Sequence, residues 1–316
     1  MTADFQGSGR RSDRVEHQGT PYTEFAGLYA SKAPESMVLR EGIPRAPERP
    51  SGRVGPRRLE WIDQDLSERE RAILLDLDRF RFLTTTQLQI LHFRRHQSEA
   101  AAARLCRRTL FRLAKLRVID ALARRVGGIR AGSASFIWRV GPVGERLLRT
   151  ASDAPRARRK EPSTRHLDHA LAVADCYVRL RDAASRDRLE LLDIQPEPAS
   201  WRRYLGAGAV PEILKPDLYA VTAGSDYEDH WFVEVDRGTE SVPTVMKKCT
   251  QYERYRRSGH EQAERGVFPL VVWVTLDDDR AAKLTTALRT ARGIDRSLFR
   301  VVTAPHFLGL VTGGVS

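Results

Sequence analysis

The sequence predicts an α/β protein in two parts, a small helical module that ends in a hairpin and a larger core in which helices alternate with buried strands. Three observations carry that expectation. Capping boxes at Ser67/Glu70 and Thr84/Gln87 open short apolar helices. The uninterrupted run Val271, Val272, Trp273 and Val274 has the character of a strand covered on both faces. Between the halves lies ASDAPRARRKEPST, residues 151–164, a basic stretch with two prolines and no hydrophobic period.

Taken in order, residues 1–57 are rich in Gly, Pro, Ser and Arg and read as a disordered basic arm. The Ser67 box precedes Ala72, Ile73, Leu74, Leu75 and Leu77, and the Thr84 box precedes Leu88, Ile90 and Leu91. A third helix is expected from Ser98 through AAAARLCRRTLFRLAKL. VIDALARRVGGIRAGSASFIWRV then reads as two strands around a Gly/Arg-rich turn. Helix, helix, helix, hairpin is the order of a winged helix, expected over residues 58–150.

Wound at about 100° per residue, the third helix places Arg104, Arg107, Arg108, Arg112 and Lys115 on one side and Leu105, Cys106, Leu110, Leu113 and Leu116 on the other. Such a helix suits the major groove of double-stranded DNA, where arginine reads guanine edges or grips phosphate. Arg124, Arg125 and Arg130, around Gly127 and Gly128, would extend the contact from the wing. The plainer alternative is a solvated arginine face. Phe111, on the basic side, fits least well and is expected to pack on a neighbour or against a partner.

Composition agrees with a polyanionic partner. The 316 residues carry 53 Lys+Arg against 41 Asp+Glu, a net charge of +12, although 46 of the 53 are arginine, a bias that genomic base composition also produces. No apolar run approaches the roughly 20 residues of a membrane span, and the polar N-terminus lacks the apolar stretch of a secretory signal. A cytoplasmic location follows. Cys106, Cys176 and Cys249 fall in expected helices without CxxC spacing, so they read as buried free thiols.

The second part, residues 165–316, reads as a helix at 166–184, strands near 189–195, 216–222 and 230–236, a helix at 243–257, a strand at 268–275, a helix at 279–292 and a strand at 299–303. Its αβββαβ order brings acidic residues to strand segments. Asp217 opens PDLYAVT, and Glu234 and Asp236 share one face of HWFVEVD. An ionised Glu234 among Trp231, Phe232, Val233 and Val235 needs compensation, and Mg²⁺ or Mn²⁺ held by Asp217, Glu234 and Asp236 would supply it. The alternative has Asp236 capping the turn DRGT and Glu234 paired with an arginine.

Pro216-Asp217 followed by Glu234, within this order of elements, resembles the PD-(D/E)xK nuclease superfamily. The superfamily's lysine two residues after the acid is replaced by Asp236. Lys248 is the first candidate to substitute for it, followed by Lys247, Arg237 and Lys215. Gln251 and Tyr255 are similar to a QxxxY helix motif of one branch, and Lys248 and Tyr252 share the spacing. RHLDHALAVAD at 165–175 and FVEVDRGTES at 232–241, joined to the winged-helix pattern, resemble the replication-relaxation family, itself similar to MOB-C relaxases.

That resemblance implies a sequence-specific DNA-binding protein of a mobile element. It would act at an origin in plasmid replication or conjugative transfer, by metal-dependent nicking. It also implies that the first core helix supplies a polar site residue, for which His169 is preferred over His166 as a metal ligand. Water is the expected nucleophile, with Tyr252 or Tyr255 as the covalent alternative. The competing functions are a noncatalytic DNA-binding regulator with a degenerate nuclease fold, which the missing lysine favours, and an RNA- or protein-binding module. A palindromic target would call for a homodimer, although no heptad seam is legible.

Overall fold

Side-chain caps fix where the N-terminal helices begin in the computed structural model, which describes residues 54–94, 98–126, 135–150, 162–224 and 227–313. Helix α1, Pro56–Asp65, places its proline in the first turn, where a missing N–H costs nothing. The reciprocal Ser67/Glu70 box opens α2, Glu68–Phe80. After the short strand β1, Leu83–Thr84, the Thr84/Gln87 box opens α3, Thr85–His92. Ser98 caps α4, Glu99–Lys115, by accepting from the Ala101 N–H.

Strands β2, Ile119–Val126, and β3, Ser135–Val140, then form an antiparallel sheet in the order β1-β3-β2, followed by α5, Pro142–Thr150. The arm up to residue 53, the turn carrying Arg130 and most of the 151–164 stretch lie outside the described residues, as do the side chains of Arg124 and Arg125.

One apolar core holds these elements together. Cys106, Leu110 and Leu113 of α4 pack with Ile73, Leu77, Leu88 and Trp138. Phe111 is half-buried and meets the rings of Phe136 and Trp138 edge-on at 6.0 and 6.1 Å, so the sheet explains an aromatic that the helical wheel placed on the basic side. Helix α5 approaches so closely that a Cβ on Gly144 would lie 2.2 Å from the Val118 carbonyl oxygen, which only glycine tolerates.

The same core takes in Ala174, Tyr177 and Val178 from α6, Thr164–Ala184. Gln87 reinforces the junction, its side-chain amide donating to the Leu171 carbonyl at 3.0 Å and to Asp175 at 2.7 Å. Helix α6 is therefore shared between the N-terminal elements and the sheet that follows.

That sheet has five strands in the order β10-β9-β8-β7-β4. They are β4, Glu190–Pro196; β7, Leu218–Ala223; β8, Glu228–Asp236; β9, Leu270–Thr275; and β10, Phe299–Thr303. The first three pair antiparallel and the last three parallel. Helix α6 and the short α10, Phe307–Val311, cover one face through Val173, Cys176, Leu180 and Phe307. On the other lie α7, Val242–Ser258, and α9, Asp278–Thr290, through Val245, Cys249, Tyr252 and Leu284. All three cysteines are free and buried.

The mixed α/β order follows the expected one, to which α1, β1, α5 and α10 are added along with two insertions. A hairpin of β5, Arg202–Leu205, and β6, Pro211–Leu214, intervenes before β7, and α8, His260–Arg265, follows α7. Their four-residue strands and short helix are too brief to show a period. What secures them is polar: Arg202 in β5 donates through Nε to the buried Glu261 of α8 at 3.0 Å and stacks on Tyr219.

Candidate functional site

Register brings the first two carboxylates together. Leu218 is paired with Val233 in the antiparallel β7–β8 ladder, so one residue further Asp217 and Glu234 stand side by side at the strand ends. Each is held by its surroundings. Asp217 accepts from the Val235 N–H at 2.7 Å through Oδ2 and meets His169 Nε2 of α6 at 3.2 Å through Oδ1. Glu234, 1% exposed, accepts from Lys248 Nζ at 2.5 Å and from the Tyr252 hydroxyl at 2.5 Å. Lys248 and Tyr252 are four residues apart on α7, and both point back at the strand.

Burial sets the electrostatics. It pushes the Glu234 carboxyl up to about 8, with Asp217 adding to the rise against the pull of Lys248. Burial also works to lower the Lys248 ammonium, but Glu234 and Asp217 outweigh it and hold that proton more tightly than usual. For Asp217, burial acts to raise the carboxyl, yet His169, Lys248 and the Val235 N–H together hold it below the ordinary range. The bond to Asp217 raises the His169 imidazole above its usual value, burial opposing.

Asp236 takes the turn-capping place, the second of the two that the sequence left open. It shares a face with Glu234 and borders the same cavity, but Oδ1 accepts from the Gly238 N–H at 2.7 Å and Oδ2 from Arg280 Nε at 2.7 Å. It closes its own turn and pins α9, so it is not a third member of a metal cradle. Arg280 lies 44 residues away in sequence, and no local signal announces it.

Gln251 and Tyr255 also stand apart from the carboxylates. Gln251 is exposed on α7, and the Tyr255 hydroxyl, two turns beyond Lys248 on the same face of that helix, donates to Glu261 at 2.5 Å. The spacing that matters on α7 is that of Lys248 and Tyr252. Of the remaining basic candidates, Lys247 is exposed, Lys215 lies 4.4 Å over the Trp201 ring, and Arg237 borders the cavity.

The cavity holds about 330 Å³ and is bounded by Asp217, Glu234, His169, His166, Lys248 and, at its rim, Arg165 and Arg237. Among the described residues no group of three or more His, Cys, Asp or Glu is arranged to hold a metal ion. Asp217 and Glu234 together match the one or two carboxylates by which Mg²⁺ is held when water and substrate phosphate complete its shell. The donor set thus fits a cation shared with a phosphate and not one caged by protein alone. Tyr252 is wholly buried and its hydroxyl is pushed well above the usual phenol range, first by burial, so it is poorly suited to attack a phosphate.

On the N-terminal elements, Arg104, Arg107, Arg108 and Lys115 are exposed on α4. Arg112 is not part of that free face. Its guanidinium is bonded to Glu70 on α2 and to Asp65 at 2.5 Å, because the helix packs its C-terminal half against the end of α1 and the start of α2. A cleft there is lined by Ser67, Arg69, Leu105, Arg108 and Arg112.

A family profile described as Replication-relaxation matches residues 74–271, well over half of the chain and including Asp217, Glu234 and Lys248. Comparison with curated proteins and with solved structures finds no match. Among the described residues no helix is long and apolar enough to cross a membrane.

Proposed function

Because the chain belongs to the replication-relaxation family, we propose that it acts on DNA in plasmid replication or mobilisation, recognising a duplex site with its N-terminal module and nicking a strand at Asp217 and Glu234. The observation that carries this reading is the meeting of those two carboxylates on paired strands beside the Lys248 amine, in an open cavity. Such an arrangement is what the PD-(D/E)xK reading requires, with the lysine supplied by the following helix.

The sheet with helices on both faces and the three helices with a three-stranded sheet support reading the two parts as nuclease-like and winged-helix units. The exposed Arg104, Arg107 and Arg108 favour α4 as the helix that enters the major groove.

In the proposed reaction Asp217 and Glu234 would hold Mg²⁺ or Mn²⁺, whose chemistry there would be Lewis-acid stabilisation of the phosphate and activation of water. Lys248 adds a fixed positive charge where negative charge grows on the phosphate. His169 orients Asp217 through its 3.2 Å contact. Tyr252 fixes the Glu234 carboxylate by donating to Oε1, opposite the oxygen that Lys248 holds.

The test is incubation with supercoiled plasmid carrying the element's origin, with and without Mn²⁺. Nicking that requires the metal and is lost in Glu234→Ala and Lys248→Ala is expected. Specific binding with no cleavage in any divalent ion would instead identify the protein as a noncatalytic regulator.

A further inference from the structure

Beside the cavity over Asp217 lies a second, smaller one of about 50 Å³, part of whose wall is made by Arg79, Phe80 and Arg81 at the end of α2. Both cavities share His166, His169 and Asp217. The N-terminal module therefore brings two arginines to a cavity that Asp217 also lines.

Neither arginine is committed elsewhere. Both are exposed; Arg79 has a single long hydrogen bond, 3.5 Å to the Tyr177 hydroxyl, and the Arg81 side chain makes no hydrogen bond or ion pair among the described residues. Glu197, the acidic side chain that the second cavity adds, accepts from Trp201 Nε1 at 3.0 Å.

The backbone points the same way. Arg81 ends α2 at φ +66°, a conformation that glycine takes far more readily than a residue with a side chain. An arginine at such a position directs attention to what its side chain does. A DNA strand lying over Asp217 and Glu234 carries a negative phosphate on each side of the reacting one. Near two carboxylates those flanking phosphates need cations, which Arg165 and Arg237 offer at one rim and Arg79 and Arg81 at the other.

We propose that Arg79 and Arg81 grip the DNA phosphate adjacent to the one held over Asp217 and Glu234, so that the N-terminal module completes the cleavage site as well as locating the duplex. This rests on the nicking reading above. The clamp works only while α2 stays docked on α6, which couples recognition to strand positioning through the shared core.

Arg81→Gly is the informative variant, because it deletes the guanidinium and installs the residue that the backbone prefers, leaving the fold intact. Arg79→Ala and the double variant accompany it. Binding to a short mixed-sequence duplex across a salt series is expected to lose about 0.9 from the slope of log K against log salt for each contact removed, and Arg81→Lys to restore it. Plasmid nicking at saturating DNA is expected to slow at least about tenfold in the double variant, with Mn²⁺ affinity unchanged.

A double variant with the wild-type salt slope and rate overturns the clamp while leaving the nicking reading standing. Wild-type protein that neither binds nor nicks DNA overturns both. If the wild type binds without nicking, the cleavage reading fails and the salt slope alone decides whether these arginines hold phosphate.

Discussion

Glu234 gives the candidate site a pH signature that a metal titration reads directly. Proton and cation compete for one carboxylate, and burial lifts that carboxyl from its ordinary 4.5 to about 8. At about pH 7 roughly one protein in ten therefore holds Glu234 ionised, and each pH unit below that value costs about tenfold in apparent affinity, or about 1.4 kcal/mol. Mn²⁺ affinity is expected to rise about fiftyfold between about pH 6 and 8 and to level off above about 9.

His169 acts in the same direction, since its raised value keeps a positive charge beside Asp217 until pH rises through it. Paramagnetic resonance of free Mn²⁺ measures the affinity without DNA. Calorimetry in two buffers of different ionisation enthalpy would count close to one proton released per ion at about pH 7. Glu234→Gln should abolish both the proton release and most of the pH dependence. A wild-type affinity that is flat from about pH 6 to 8 would refute the reasoning, because Glu234 would then be ionised throughout or would not bind the ion.

Three further outcomes separate structural from DNA-contacting charges. Glu261 is 0% exposed and accepts from Arg202 Nε at 3.0 Å and from Tyr255, so Glu261→Gln, which leaves the buried Arg202 without its counter-charge, should cost about 3–5 kcal/mol in urea unfolding. Arg112→Ala should lower the melting temperature by a few degrees through its lost bonds to Glu70 and Asp65 and barely change the salt slope of DNA binding. Arg107→Ala or Arg108→Ala should lower that slope by about 0.9 with stability unchanged.

Local signals served well where the chemistry is local. The Ser67 and Thr84 capping boxes form as their spacing indicates, since cap and partner lie three residues apart on one turn. The apolar run at 271–274 lies inside β9, an inner strand flanked by parallel neighbours. Long-range partnerships were illegible by comparison. Asp236 is taken by Arg280, Arg112 by Asp65 and Glu70, and Tyr255 by Glu261, each a pairing that no periodicity encodes. The arginines at the end of α2 carry no sequence mark either, because their significance comes from a cavity that α6 closes.

The order of helices and strands, the acids at the ends of β7 and β8 and the excess of arginine were all written in the chain, because each depends on residues within a few positions of one another or on composition alone. Which acids meet, which lysine answers them and which arginines stay free were decided by tertiary contacts. A charge buried at a strand end takes whichever partner the fold brings within hydrogen-bonding reach. For Glu234 that partner is Lys248 on the next helix, and for Asp236, two residues on, it is Arg280 on a different one.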